Sequence, residues 1–176
     1  MKNVLDIPRT AMEVFNMLPE GTLCEVIDNV LYMSPSPTTE HQRILLNITF
    51  EIKSFLNKMP LGEVFVAPCD VYLDDEENVV EPDIIFIRNE KAGMVRRKGI
   101  YGAPDLLIEI LSTNVLHDKK RKLELYERNG VAEYIIIDPD TKENWHYLLN
   151  EGKYEPQTDT AVGRIFIHQL SLTIDF

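Results

Sequence analysis

The run LLIEIL at residues 106–111 decides the fold, because it sets one carboxylate, Glu109, inside an otherwise apolar strand. A strand that is apolar on both faces is typical of the centre of a sheet covered on both sides. An ionised carboxylate buried there is costly unless it forms an ion pair, takes up a proton or binds a metal ion. We favour a functional role for Glu109, and a buried ion pair is the alternative.

A second apolar run, EPDIIFI at residues 81–87, carries Asp83 near its start. If the two runs form neighbouring strands, Asp83 and Glu109 can converge on one site near the strand ends. Carboxylate oxygens are hard ligands, which suit Mg²⁺ or Mn²⁺ better than zinc. The pair therefore predicts a divalent-metal site, although Asp after Pro is equally well explained as the first residue of a strand.

The segment that follows Glu109 predicts a helix and then a parallel strand. Residues 118–129 have helical spacing, Asp118 is the expected N-cap, and Gly130 stands where a left-handed C-terminal cap is expected. The apolar run at residues 134–137 is the next strand. Two strands that flank a helix pair in parallel through a right-handed crossover. These elements predict an α/β fold.

The remaining elements complete one expected α/β domain over residues 1–176, in which helices flank a mixed central β-sheet with extra β segments near both chain ends. A short helix is expected at residues 10–18, a strand or a hairpin turning at Asp28-Asn29 at 23–33, and a long helix capped by Thr38 or Thr39 at 40–56. Residues 63–73 and 79–88 are each expected to form one strand, and residues 144–176 to form short β segments.

Composition and charge limit the functions open to this chain. Its 176 residues are 44% hydrophobic and 27% charged, which is typical of a folded domain. The formal net charge of −11 argues against a non-specific nucleic-acid binder, which needs surplus positive charge to displace the counterions of phosphates. A nuclease is not excluded, because an acidic metal site and a local basic face can coexist.

We expect a cytoplasmic protein. No apolar run reaches the roughly 18 residues that a membrane span needs, and residues 1–8 lack the apolar core of a signal peptide. Cys24 and Cys69 have no second Cys or His at ligand spacing. Free buried thiols are therefore expected rather than a disulfide or a zinc pair.

The helix after Glu109 supplies cations. Lys119, Lys122 and Tyr126 recur at helical spacing, so they share one helix face. A lysine-rich first turn is most often only a solvated face. However, the short turn expected at residues 113–117 brings Lys122 back toward the end of the Glu109 strand. A lysine there can orient an attacking water or stabilise the charge on a pentavalent phosphate.

Several blocks of the sequence together carry a family resemblance. They are Glu81-Pro82-Asp83, residues 105–112, 118–126, 130–134 and 137–139 and, upstream, residues 25–28, 33–35 and His41. These blocks resemble the Uma-type restriction-endonuclease family, a bacterial branch of the PD-(D/E)XK nuclease superfamily. The resemblance covers residues 18–145 and implies a restriction-endonuclease-like core. It also implies a metal-dependent endonuclease that hydrolyses phosphodiester bonds in nucleic acid, with DNA as the expected substrate.

The resemblance assigns roles to individual residues. It implies that Asp83 and Glu109 bind Mg²⁺ or Mn²⁺, which lowers the pKa of a bound water. The superfamily pattern has a lysine two residues after the second acid, where this chain has Leu111. The lysine of the following helix, Lys122, takes that role. Asp83, Glu109 and Lys122 are the predicted catalytic residues.

Four further residues are accessory candidates. His41 and Glu40, at the start of the long helix, are candidates for a further ligand or a general base. A helix-start histidine bonded to the loop explains His41 at least as well. Lys119 shares the face of Lys122, and Glu25 is a weaker candidate.

Two other functions and one assembly stay open. A catalytically silent relative that acts in binding or protein interaction is favoured by the acidic charge and by Leu111. A small-molecule enzyme that uses the same metal site is a third candidate. Nucleases of this superfamily often dimerise to cut two strands, so a homodimer is expected by analogy.

Overall fold

The computed structural model of the protein describes residues 7–74, 77–112, 115–158 and 161–176, without the side chains of residues 115–118. The α-helices of this part of the chain are α1 (Ala11–Phe15), α2 (Thr39–Lys58) and α3 (Val115–Asn129). Its strands are β1 (Cys24–Ile27), β2 (Val30–Met33), β3 (Gly62–Val66), β4 (Val71–Leu73), β5 (Asn78–Val80), β6 (Ile84–Arg88), β7 (Val95–Arg96), β8 (Gly99–Tyr101), β9 (Leu106–Ile110), β10 (Glu133–Ile137), β11 (Asn144–Asn150), β12 (Lys153–Pro156), β13 (Arg164–Ile167) and β14 (Leu172–Asp175).

The central sheet has the strand order β12-β11-β10-β9-β6-β3. β9 and β10 pair in parallel, as predicted for two strands that flank a helix. β6 pairs with β9 in the antiparallel sense, with Ile84 opposite Ile108. All residues of β9 and β10 are buried, which explains their nearly continuous apolar sequences. The two apolar runs that carry Asp83 and Glu109 therefore belong to neighbouring strands of a mixed sheet.

Alternation along the central strands divides the core into two layers. α2 covers one face, where Ile44 and Ile48 belong to a buried cluster with Ile108. α3 covers the other face, where Leu125 belongs to a cluster with Leu107. The predicted arrangement, a mixed sheet with a helix on each face, is confirmed.

The prediction that residues 63–73 and 79–88 each form one strand is wrong. Residues 63–73 contain β3, in the central sheet, and β4, in a second sheet whose order is β2-β1-β5-β4-β8-β7. Residues 79–88 contain β5, in the second sheet, and β6, in the central sheet. Pro68 and Pro82 lie at the two breaks. Proline has no N–H to continue a ladder, so the chain changes sheet at these points.

Three local signals for turns and caps are confirmed. β1 and β2 form a hairpin through Asp28 (φ 51°) and Asn29 (φ 60°), the left-handed pair that a tight hairpin turn requires. The Thr38 side chain caps α2 by accepting a hydrogen bond from the His41 N–H at 3.2 Å. Gly130, with φ 81°, follows the end of α3.

The predicted start of α3 is wrong. The helix begins at Val115, so Asp118 lies within it and is not its N-cap. A capping residue marks a helix start only where the preceding residues cannot continue the helix, and residues 115–117 contain neither Gly nor Pro. Residues 113–114 of the expected turn lie outside the described residues.

Three further features are the C-terminal hairpin, the two cysteines and the character of the helices. β13 and β14 form a C-terminal hairpin, and Ile167 and Ile174 pack with the cluster under α2. Cys24 and Cys69 are free thiols, as predicted, although only Cys24 is fully buried. Within the described ranges, no helix combines the length and the apolar character needed to cross a membrane.

Candidate active site

An open cavity of about 850 Å³ lies where the β1–β2 hairpin, the start of α2, the ends of β6 and β9, and α3 meet. We call it the site cavity. The predicted site residues that line it are Glu25, His41, Asp83, Glu109, Lys119 and Lys122. These side chains come from distant parts of the sequence, so it is the packing of the two sheets and two helices that collects them.

Glu109 lies on β9 and faces α3. One of its carboxylate oxygens accepts hydrogen bonds from the Lys122 ammonium at 3.1 Å and from the Tyr126 hydroxyl at 2.8 Å. Lys122 and Tyr126 are one helical turn apart, so both reach the same strand residue, as their shared face predicts. Glu109 therefore has the buried ion pair that was the alternative explanation, and it also lines the cavity.

Lys122 joins the two sheets. Its ammonium lies 2.9 Å from a carboxylate oxygen of Glu25, on β1, as well as beside Glu109 on β9. The same Glu25 oxygen accepts the backbone N–H of Glu81 at 2.9 Å. Lys122, Glu25 and Glu109 are all nearly buried. A cation between two buried carboxylates reduces the cost of desolvating all three charges.

Asp83 lies directly before β6, at the edge of the sheet where β9 ends. Its Oδ2 accepts the backbone N–H of Ile110 at 2.7 Å. His41 Nε2, from the first turn of α2, lies 3.1 Å from Oδ1 and 3.2 Å from Oδ2. His41 Nδ1 is buried and has no hydrogen-bond partner among the described residues. Asp83 therefore contacts both the backbone of β9 and the His41 side chain of α2. α2 lies on the face of the sheet opposite α3.

The pKa of Glu109 is raised by its surroundings in the cavity. Burial is the largest cause, and the negative charges of Asp83 and Glu25 raise the pKa of Glu109 further. Lys122 and Tyr126 act in the opposite direction. Asp83 is therefore near enough to Glu109 to influence its ionisation.

Two predicted accessory residues, Glu40 and Lys119, have partners other than Asp83 and Glu109. Glu40 does not line the site cavity: its carboxylate pairs with Lys142 at 2.6 Å and also with Arg43. Lys119 lines the cavity, but its ammonium lies 3.0 Å from the centroid of the Trp145 ring rather than beside Glu109. The helix face shared by Lys119 and Lys122 is wide enough that the two ammonium groups reach different partners.

The sequence matches the model of the Uma2 family, described as "Putative restriction endonuclease", over residues 12–176. The chain belongs to this family. A crystal structure described as that of a "putative nuclease" from Anabaena variabilis ATCC 29413 has the same fold, with a TM-score of 0.75. The two sequences are 21% identical, and the match covers 96% of this chain and 95% of the other. No curated protein matches the chain.

Glu81 is a cavity residue of this Uma2-family chain that the sequence analysis missed. It is half-buried, and burial together with the charges of Asp70 and Glu25 raises the pKa of Glu81 to about 7. It lies two residues before Asp83, at the break between β5 and β6, and a single predicted strand across residues 79–88 hides that break. Membership of the family supports a nuclease function for the chain.

The donor set of the site cavity fits a magnesium-like ion better than a zinc-like one. Asp83 and Glu109 offer carboxylate oxygens to the cavity. Among the described residues, no three His, Cys, Asp or Glu side chains converge as a complete ligand set. Mg²⁺ is commonly bound by one or two carboxylates, with water and substrate phosphate at its other positions.

Proposed function

We propose that this protein is a metal-dependent endonuclease that hydrolyses phosphodiester bonds in nucleic acid, with DNA as the expected substrate. One observation carries the proposal: Asp83 and Glu109 line the same cavity, and Lys122 lies against Glu109. Family membership supports the nuclease class. The two acids are the proposed ligands of Mg²⁺ or Mn²⁺.

Lys122 and Glu25 have parts in the proposed mechanism beside the two acids. Asp83 and Glu109 would hold the metal ion, which would supply a water of lowered pKa and a positive charge next to the phosphate. Lys122 stabilises the negative charge that develops on the phosphate oxygens, because its ammonium lies in a largely water-excluded site. Glu25 holds Lys122 in position through the ion pair at 2.9 Å.

His41 and Tyr126 orient the two acids. The contact between His41 Nε2 and Asp83 restricts the rotation of that carboxylate, and the Tyr126 hydroxyl does the same for Glu109. Partners of this kind fix the direction in which a ligating oxygen faces a metal ion. His41 therefore acts through Asp83 rather than as a ligand of its own.

Cleavage assays test the proposal. Purified protein is incubated with single-stranded and duplex DNA and with RNA, in Mg²⁺, in Mn²⁺ and in chelator. The wild type is expected to cut only with metal. Asp83→Ala and Glu109→Ala are expected to lose at least about a hundredfold of the rate, since metal and water activation are lost together. Glu51→Gln, which neutralises an exposed carboxylate of α2, is the control. Cleavage that persists in both alanine variants would refute this site.

Calorimetric titration with Mg²⁺ tests the metal site without activity. We expect a dissociation constant on the order of micromolar to millimolar, and its loss in Asp83→Ala and in Glu109→Ala. The same titration also tests the second candidate function, a catalytically silent protein that acts in binding or protein interaction. The net charge of −11 and Leu111 favour that candidate. Absence of both metal binding and cleavage would favour this candidate over the nuclease.

We also propose a cytoplasmic location and a homodimer. The two free thiols, Cys24 and Cys69, suit a reducing compartment.

The dimer follows by analogy with nucleases that cut two strands. Sedimentation equilibrium should give twice the chain mass of 20.3 kDa, and a monomer at high concentration would refute the dimer.

A further inference from the structure

The rim of the site cavity carries a contact that has no part in the proposed catalysis. Arg121 of α3 lies with its guanidinium carbon 4.2 Å from the centroid of the Tyr32 ring, and both residues line the cavity. Tyr32 stands opposite Glu25 in the β1–β2 hairpin, and Arg121 precedes Lys122 in α3. The Tyr32–Arg121 contact is therefore next to the buried Glu25–Lys122 ion pair.

An arginine in this position is suited to binding phosphate. A guanidinium that stacks on an aromatic ring is held by one of its faces, while its N–H groups lie in its plane around the edge. Those donors match the spacing of two phosphate oxygens. Because the chain has a net charge of −11, binding of a nucleic-acid backbone depends on local cations.

Two lysines also line the cavity, and each offers a point charge in place of the planar set of donors of Arg121. The Lys119 ammonium lies over Trp145, and burial lowers the pKa of Lys119 to about 8, although Asp138 and Glu143 oppose this shift. Lys122 is buried between Glu25 and Glu109. The guanidinium of Arg121 differs from both ammonium groups in presenting several N–H donors in one plane.

We propose that Arg121, held against Tyr32, binds a backbone phosphate of the nucleic-acid strand next to the phosphate that is cleaved. Arg121 is then a substrate-binding residue, and Tyr32 is the residue that positions it. The inference rests on the nuclease function proposed above and adds to it the contact that sets how the strand lies along the cavity.

Binding of a labelled DNA oligonucleotide, single-stranded or as a duplex, tests this inference. Fluorescence anisotropy in chelator at several salt concentrations measures affinity without cleavage. Arg121→Ala is expected to weaken binding on the order of tenfold. It should also reduce the slope of log affinity against log salt by about 0.7 for the single strand and about 0.9 for the duplex. Tyr32→Leu should weaken binding less and keep the slope, because the charge remains.

Arg128→Ala is the matched control. Arg128 is also on α3 and also contacts the hairpin, with its Nη2 2.6 Å from Asp28 Oδ1, but it does not line the site cavity. The control removes the same charge and a contact with the hairpin, but from outside the cavity, so the slope should stay unchanged. Equal losses in Arg121→Ala and Arg128→Ala would overturn the inference, as would wild-type binding with no salt dependence.

Two further measurements separate this inference from folding defects and from the nuclease proposal. Arg121→Lys keeps the charge but not the planar donor set, so we expect the wild-type slope with severalfold weaker binding; wild-type affinity would overturn the inference. If the wild type cuts DNA, Arg121→Ala should raise KM and leave kcat unchanged. If it binds through Arg121 but never cuts, only the nuclease proposal fails.

Discussion

Glu133 and Glu109 are buried carboxylates of the adjacent strands β10 and β9, but they lie on opposite faces of the central sheet. Glu133 faces the C-terminal hairpin, where its oxygens accept the backbone N–H groups of His168 and Gln169, each at 2.8 Å. His146 Nε2 lies 2.8 Å from the same carboxylate. Because backbone groups supply two of these bonds, Glu133 holds the hairpin against the sheet.

Glu109 is bound by side chains instead. Its partners are the Lys122 ammonium and the Tyr126 hydroxyl, and the site cavity opens beside them. A side chain can change partner when a ligand arrives, whereas a backbone N–H of a packed hairpin cannot do so without local unfolding. Burial of an acid therefore does not identify a functional site by itself. The kind of partner and the access to a cavity distinguish Glu109 from Glu133.

The largest effect on stability is expected from Glu133→Ala. The substitution leaves His146 and two backbone N–H groups buried without their acceptor. We expect it to lower the free energy of unfolding by about 4 kcal/mol, as measured by urea denaturation. Glu133→Gln, which keeps the shape and one acceptor, should cost less. A loss below about 1 kcal/mol in Glu133→Ala would show that the carboxylate does not hold the hairpin.

A smaller effect with the opposite sign is expected from Glu109→Gln. Because the pKa of Glu109 is raised in the folded protein, the folded state binds this proton more tightly than the unfolded state does. Wild-type stability therefore falls as pH rises from the ordinary carboxyl pKa of 4.5 toward the raised value. Glutamine does not titrate, so the variant should gain stability relative to the wild type across that range, on the order of 2 kcal/mol.

Urea denaturation of the metal-free proteins at a series of pH values measures this difference. At acidic pH the two proteins should have similar stability, since Glu109 is then protonated in both the folded and the unfolded state. A stability difference that moves against the variant as pH rises would mean that Lys122 holds Glu109 in its charged form, and that Glu109 resembles Glu133 after all.

The smallest effect is expected from Tyr126→Phe, which removes the hydroxyl that donates to Glu109 at 2.8 Å. The loss of one buried hydrogen bond should cost about 1 kcal/mol of unfolding free energy. Tyr154→Phe is the matched control, because the Tyr154 hydroxyl donates to the Val131 carbonyl at 3.0 Å, outside the cavity. Carbon NMR should show a further rise in the pKa of Glu109 in Tyr126→Phe only; a similar rise in both would contradict a local effect.

The sequence predicts well where the deciding contacts are close along the chain. The hairpin turn at Asp28-Asn29, the Thr38 cap and the Gly130 position each depend on a few consecutive residues, and all are confirmed. The start of α3 was missed because Asp118 can cap a helix but nothing before it ends one. The two breaks at proline were missed because apolar residues stand close by on both sides of each proline.

The candidate site was predicted in part. Asp83, Glu109 and Lys122 line one cavity, because each lies at a strand end or on a helix whose place in the fold follows from hydrophobic pattern. The contacts between Glu25 and Lys122 and between His41 and Asp83 span 97 and 42 residues, and no local pattern indicates them. The sequence does not indicate the structural role of Glu133, since an acid at the first position of a strand is common.

By itself, the sequence determined which strands are central and which helix face meets them, because periodicity and side-chain hydrophobicity act over neighbouring residues. Only the tertiary structure decided which partner each buried charge has. Pairing of charges depends on distances between segments that the folding of both sheets and both long helices sets. That is why the sequence could indicate Lys122 near Glu109, whereas the packed molecule was needed to show that Glu25 shares the same ammonium group.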